Sequence, residues 1–483
     1  MCPERKSADA FRKRQTLGKS HRHDHVNGVT DGLPLPRRRY AIAALSAGNA
    51  LVMVEGGIVN IALPTIARDL HTDGSAAVLV VTVYQLVLVM LLLPFSSLGE
   101  RIGLSRLYQW GQALFALATL LCFFANSLPF LLVVRMAQAI GAAAVLSVSS
   151  ALVRSVYPQA MLGRGLALNA VVITFASAIA PTIGGFILSF ASWPWVFAAT
   201  LPLAMLSLAF GRALPTPTPN ERPYDLLSAL LSAATFGLIV GGFESGVHGD
   251  SPVVSAAIVL AGIVIAVVFV RRELGLESPV MPVDLLGQPV IALSAAGALC
   301  GFIASMTLLL SMPFRLEHGF GFSPETVGAM MAPWPFVMMF VAPAAGALSD
   351  RYPAGLLGGV GMAIAVIALA LIAFIPPAPN YWDIAWRMGL CGAGFGLFLS
   401  PNARLMIGSA PRERAASAGG LVATTRLTGQ TLGATLAATL LATGLGTGKA
   451  PALLAAALAL IAGIVSISRL NPALRKPERD EMS

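Results

Sequence analysis

Apolar runs of about 20 residues recur from one end of the chain to the other, parted by short segments in which arginine, glycine and proline collect. A run of that length crosses a hydrocarbon layer as a helix. Both faces of each run are apolar, whereas a membrane β-strand alternates over about ten residues. The pattern predicts spans over residues 41–63, 76–97, 107–127, 129–153, 165–190, 194–212, 226–246, 252–270, 289–312, 324–347, 356–376, 382–406, 417–445 and 450–468. The chain therefore reads as an all-α polytopic membrane protein of fourteen helices.

Composition sharpens this reading. Hydrophobic residues make up 56% of the chain and charged ones 11%, with a mean hydropathy of +0.77, too apolar for a soluble chain of this length. A net charge of +9 would suggest nucleic acid in a soluble protein, but here the charge is sorted by loop. One alternate set of loops carries Arg101, Arg106, Arg154, Arg164, Arg212, Arg222, Arg271, Arg272, Arg351, Arg404, Arg412 and Arg414, and the other only Arg68, Arg315 and Lys449. Both tails are basic, from Arg5 to Arg39 and from Arg469 to Arg479. The excess of positive charge on one side places both ends in the cytoplasm and argues against a nucleic-acid partner; the cell inner membrane is the expected location. The first apolar run follows about 40 polar residues and is too long for a signal segment, so no cleavable signal is expected. Cys2, Cys122, Cys300 and Cys391 form no C-x-x-C pair and imply neither disulfide nor metal. His21, His23 and His25 lie in a polar tail that reads as solvated and disordered.

The run Val52 to Ile66 places Glu55 at membrane depth. An ionisable group there costs about 2.5–3.5 kcal/mol on insertion scales and points to a task. At 1.5 Å per residue, Glu55 lies roughly 12 Å below the outer end of its span, while Arg135 and Gln138 of the fourth span lie roughly 10 and 14 Å below theirs. The three share a level. Two readings stay open: a carboxyl that exchanges a proton for cargo, or a permanent ion pair that holds two helices together. Gly56, Asn60 and Pro64 share another face of the same helix, suited to close packing.

An internal repeat organises the rest. L-G-E-R-I-G at 98–103 recurs as L-S-D-R-Y-P at 348–353, and Arg135-Met136 as Arg387-Met388. Two six-helix halves related as parallel repeats, with two inserted helices, account for it. The expected units are a cytoplasmic tail over 1–40, a first bundle over 41–213, the inserted pair and linker over 214–288, a second bundle over 289–468 and a tail over 469–483.

Other positions carry local expectations. Pro181 bends the fifth span, where Ser177, Pro181 and Gly185 make a small-residue face. Ser323-Pro324-Glu325 opens the tenth span with an N-cap and a first-turn proline. Trp193, Trp195, Tyr381 and Trp382 fit an interfacial belt. Arg387 is expected to snorkel, and Glu244 to be a solvated interfacial acid. The stretch Met330 to Phe340 suits either a plastic apolar pocket for flat cations or packing against lipid and core.

These motifs resemble the major facilitator superfamily, and within it the fourteen-helix drug:proton antiporters that export quaternary ammonium compounds and methyl viologen. The resemblance runs from about Ala41 to Leu470. It rests on Glu55 followed by Asn60-Ile61-Ala62-Leu63-Pro64, where the family more often has Asp at 55. Gly346-Ala347-Leu348-Ser349-Asp350-Arg351 is close to the superfamily loop motif, and the first copy around Glu100 and Arg101 is degenerate. Arg135 to Gly141, Ala180-Pro181-Thr182-Ile183-Gly184-Gly185, and Arg426, Gln430 and Gly433 of the thirteenth span complete it. The resemblance implies the major-facilitator fold and a proton-coupled antiporter for lipophilic, cationic drugs or biocides. Its partners would be a small cation, protons and the bilayer, in a monomer with no cofactor beyond the proton gradient. It implies proton or cargo roles for Glu55, Arg135, Gln138, Arg426 and Gln430. Glu100, Arg101, Asp350 and Arg351 would form a cytoplasmic gate, and Ser177, Pro181, Gly184 and Gly185 a bend. Export of an endogenous amphiphile such as a peptide, siderophore or lipid is the alternative. No histidine or acidic pair lies inside a span, which argues against a membrane enzyme, and no nucleotide-binding loop is present.

Overall fold

The computed structural model describes residues 32–158, 161–215, 225–247, 251–276, 281–411 and 414–471. The tail histidines, Arg222, Arg412 and most of both basic tails lie outside the described residues. The chain forms α1 Leu35–Asp69, α2 Gly74–Ile102, α3 Leu104–Cys122, α4 Leu128–Val156, α5 Leu162–Phe190, α6 Pro194–Gly211 and α7 Leu226–Val247. There follow α8 Pro252–Leu274, α9 Pro289–Phe314, α10 Pro324–Leu348, α11 Ala354–Ala373, α12 Tyr381–Gly408, α13 Ala415–Ala442 and α14 Ala450–Ser468. Among the described residues twelve of them are long and apolar enough to cross a membrane. The other two, α3 and α13, are more polar, α13 through Thr424, Arg426, Gln430 and Thr431. Helix α13 packs between the halves against α9 and α2, while α3 packs on α4 and keeps Trp110, Leu117 and Leu120 exposed on its other face.

Differences from the sequence expectations have local causes. The first helix starts at Leu35, inside the expected tail, because Pro34 and Pro36 set its first turn. There Arg37 donates to the carbonyls of Ala213 (2.9 Å) and Leu214 (3.0 Å) beyond the end of α6. Helix α6 is broken after Ala198, and α10 is broken at Ala332, next to Pro333, which brings no backbone N–H. Ser323 does cap α10, accepting from the Thr326 N–H. Of the expected aromatic belt, Trp195 and Trp382 are exposed, but Trp193 is buried edge-on against Phe197. The carboxylate oxygens of Glu244 are buried rather than solvated.

The helices pair in one pattern used twice. In the first half α1 packs on α4, α5 and α6, α4 on α2 and α3, and α3 on α6; α9 to α14 repeat each of these contacts in the same order. The α3–α4 crossing closes on Gly111 and Gly141, and its counterpart, α11–α12, on Gly361 and Gly394. A Cβ at Gly141 would stand 2.6 Å from the Gly111 carbonyl oxygen, and one at Gly394 2.7 Å from that of Gly361. Only glycine allows the backbones so close. The halves meet reciprocally, α2 on α13 and α5 on α10, with α1 beside α9. The inserted α7 and α8 pack on each other, and α7 leans on α2 and α13. With an even number of spans both described ends lie on one face, here the terminal face; the opposite side is the far face.

Candidate functional site

Two polar sites occupy the middle of the molecule. The first is a closed pair within the first half. Glu55 on α1 is fully buried, and its Oε1 accepts from Arg135 Nη1 on α4 at 2.5 Å. Arg135 also donates through Nε to the Val80 carbonyl (3.1 Å) and through Nη1 to Gln138 Oε1, while its guanidinium lies 4.2 Å from the centre of the Tyr84 ring. Gln138 in turn donates to Thr119 Oγ1 at 2.8 Å. On the other side Thr200 of α6 lies 3.3 Å from Glu55 Oε2 and 2.8 Å from the Phe197 carbonyl. Such a pair, hydrogen-bonded on every side, is how a charge is accommodated at depth.

The second site is a cavity of about 240 Å³ between the halves. Its wall includes Gly56 and Asn60 of α1, Tyr84 and Gln85 of α2, Ser177 and Pro181 of α5, Trp334 and Met338 of α10, and Arg426 and Gln430 of α13. The expected close packing of Gly56 and Asn60 does not occur: a Cβ on Gly56 would meet nothing, and both residues face the cavity. The close approach belongs to Gly57, whose Cβ would stand 2.9 Å from the Ala180 methyl. Met331, Trp334, Pro335 and Met338 line the cavity, whereas Phe336 and Phe340 are exposed on the outer surface.

The structure thus joins Glu55, Arg135 and Gln138, and separately Arg426 and Gln430. Tyr84 bridges the two sites, one face under Arg135 and an edge on the cavity. It was missed by sequence reasoning, as was Thr200; a tyrosine followed by glutamine in the apolar run of α2 was the available signal. Glycines of the expected bend seal the cavity toward the far face. A Cβ on Gly185 would lie 3.1 Å from Gly328 Cα, one on Gly328 2.8 Å from the Pro181 carbonyl oxygen, and one on Gly184 3.0 Å from Ile58.

The charges grouped as a gate do not join the halves. Asp350 pairs with Arg404 of α12, in its own half, and Arg404 also donates to the Gly346 carbonyl (2.8 Å). Glu100, Arg101 and Arg351 are exposed at the terminal face. A cross-half contact lies instead at the far face, where Arg68 at the end of α1 stands 4.0 Å from Glu317 just beyond α9. Arg387 donates to the Asp383 carbonyl one turn back and stacks on Trp386.

Two repeat-related helical bundles closed around a central cavity define a membrane transporter. The chain belongs to the Major Facilitator Superfamily, whose pattern matches residues 45–434, and is a transporter rather than an enzyme. It is 42% identical to an uncharacterized transporter, YebQ, of Escherichia coli over 91% of this chain and 97% of that one. It is 27% identical to the riboflavin transporter RibZ of Clostridioides difficile (77% and 81% covered). It is also 27% identical to the methyl viologen resistance protein SmvA of Salmonella typhimurium (77% and 76% covered). A solved peptide transporter POT, in complex with sulfate, shares the fold with a TM-score of 0.68 at 15% identity, covering 90% and 95%.

Proposed function

We propose that the protein is a proton-coupled antiporter that exports lipophilic drugs or biocides across the inner membrane by alternating access, with the terminal face in the cytoplasm. The observation that carries this reading is the buried Glu55–Arg135 pair set directly behind the cavity wall. A proton on Glu55 removes the charge that Arg135 answers, yet the guanidinium keeps the Val80 carbonyl, Gln138 and the Tyr84 face. The pair can therefore lose its charge balance without leaving a bare cation, and Tyr84 passes the change to the cavity. The basic loops at the terminal face support the orientation. Relatives at equal identity named for riboflavin and for methyl viologen support transport of flat aromatic compounds, charged or not. A cationic cargo would need Glu55 to turn from Arg135 into the cavity.

Efflux from pump-deficient cells of two flat fluorescent probes, the cation ethidium and the uncharged riboflavin, with and without an uncoupler, tests the coupling. Uncoupler-sensitive export lost in Glu55→Gln supports it; export that ignores the uncoupler, or survives the substitution, overturns it.

A further inference from the structure

Among the cavity-lining residues Arg426 carries the one formal charge, and no carboxylate shares the wall. The buried arginines in or at the ends of the spans have oxygen partners. Arg135 has Glu55 and the Val80 carbonyl, Arg315 the carbonyls of Ile372 (3.0 Å) and Ala373 (3.1 Å), and Arg469 Ser294, Asn402 and Ser466. Among the described residues Arg426 has only the Met53 sulfur, 3.9 Å from its Nη1. A thioether is a weak acceptor, and a guanidinium presents five N–H donors. A half-buried cation at membrane depth with so little to answer it is costly unless something else supplies the acceptor. Its position on the cavity wall makes cargo the candidate.

The rest of the wall fits the same kind of molecule. Gln430 follows Arg426 by one turn and also lines the cavity. From the first half come the Tyr84 hydroxyl, which can donate, and the side-chain oxygens of Asn60 and Gln85, which accept and so call for a donor elsewhere on the cargo; all three are buried with no hydrogen-bond partner among the described residues. Between these polar groups lie Met53, Phe302, Met306, Trp334 and Phe395, with Trp334 and Phe395 stacked at 5.0 Å. This is an aromatic and thioether surface suited to a flat ring.

We infer that the cargo is an amphiphile with an aromatic body and an anionic head, a carboxylate or sulfonate, that docks on Arg426. This rests on the reading that the cavity is the cargo site, and it departs from the cationic cargo expected from the family resemblance. Two oxygens of a carboxylate or a sulfonate take two parallel N–H donors from a guanidinium, while a quaternary ammonium gains nothing from it and is repelled. The bound head group gives Arg426 the acceptor that the wall itself does not supply.

Three labelled probes of one shape separate the possibilities: 2-naphthoate, the uncharged 2-naphthamide and 2-naphthyltrimethylammonium. Each is bound to the purified full-length chain in phosphatidylcholine nanodiscs, without any proton gradient. Naphthoate is expected to bind at least about tenfold more tightly than the ammonium. Arg426→Gln should weaken naphthoate by about tenfold or more and leave naphthamide within about twofold. Arg426→Lys should retain part of the anion preference, and Arg426→Glu should reverse it. Retained naphthamide binding shows that a variant is folded. An ammonium that binds as tightly as naphthoate, naphthoate binding indifferent to Arg426→Gln, or no binding by any probe overturns the inference. Because binding needs no coupling, naphthoate binding to the chain without uncoupler-sensitive export of naphthoate from cells would instead sink the antiport reading and leave the inference standing.

Discussion

At the scale of single residues, the position of a charge on its helix decides its role more than its type. Arg135 precedes Gly141, the contact point of its crossing, by six residues; Arg387 precedes the equivalent Gly394 by seven. One residue turns a helical side chain by about 100°, which sends Arg135 inward to Glu55 and Arg387 back along its own helix to Asp383. The sequence repeat matched the two arginines as equals, and this one-residue offset is why they are not. Breaking one member of the inner pair leaves the other buried and charged, at a cost of about 3–5 kcal/mol. Glu55→Leu should therefore lower the melting temperature in detergent sharply. Glu55→Gln, which keeps a hydrogen bond to Arg135, should lower it less, and Glu55→Leu with Arg135→Met should recover much of the loss. A double variant no more stable than Glu55→Leu alone would show that the pair is not the source of the effect.

At the scale of helices, the small-residue face of α5 works as a seal. Depth and residue size made that face legible in the chain, but not its neighbour: Gly328 of α10 lies in the other half, and no local pattern links it to Gly185. A side chain inserted there must push α5 and α10 apart, since overpacking a tight contact costs about 1–3 kcal/mol. Gly185→Leu or Gly328→Val should shift the protein toward a state open at the far face. Spin labels at the exposed positions Ser189 and Glu325 would read this as a longer separation in the variant than in the wild-type background. An unchanged distance distribution would mean that the crossing is not what holds the far face shut. The breaks in α6 and α10 show the same limit on reading elements from pattern, because apolar periodicity runs through both while the backbone does not.

At the scale of the molecule, the twofold use of one pairing scheme gives two bundles that can rock about a shared cavity. At the far face the halves are tied by apolar glycine contacts and by Arg68 with Glu317. Arg68 is 59% exposed, Glu317 only 5%, and the separation is 4.0 Å. Burial pushes the pKa of the Glu317 carboxyl up to about 7, so it is only partly ionised near neutral pH. This long, half-exposed pair contributes about 1 kcal/mol that salt weakens further. Arg68→Ala should therefore open the far face only slightly, by less than about fivefold in population, where Gly185→Leu opens it strongly. Labelling of the same spin pair at low and high salt checks this, and a large salt-dependent opening would reverse the ranking. The terminal-face charges, with Asp350 held by Arg404 inside one half, should tolerate Glu100→Gln without loss of the closed far face, which the same measurement reads.

The sequence by itself determined the fourteen helices, the two-half repeat and the family, because hydrocarbon thickness imposes run lengths and loop charge that are written linearly along the chain. It also put Glu55, Arg135 and Gln138 at one depth, since rise per residue is fixed. Tertiary structure alone decided which side chains face one another. It enclosed Glu55 with Arg135 behind Tyr84, left Arg426 on the cavity wall facing a sulfur, and placed Gly328 against Gly185. The physical reason is that rotation about a helix axis, and the choice of partner helix, are set by contacts between segments far apart in the chain, which no local pattern encodes.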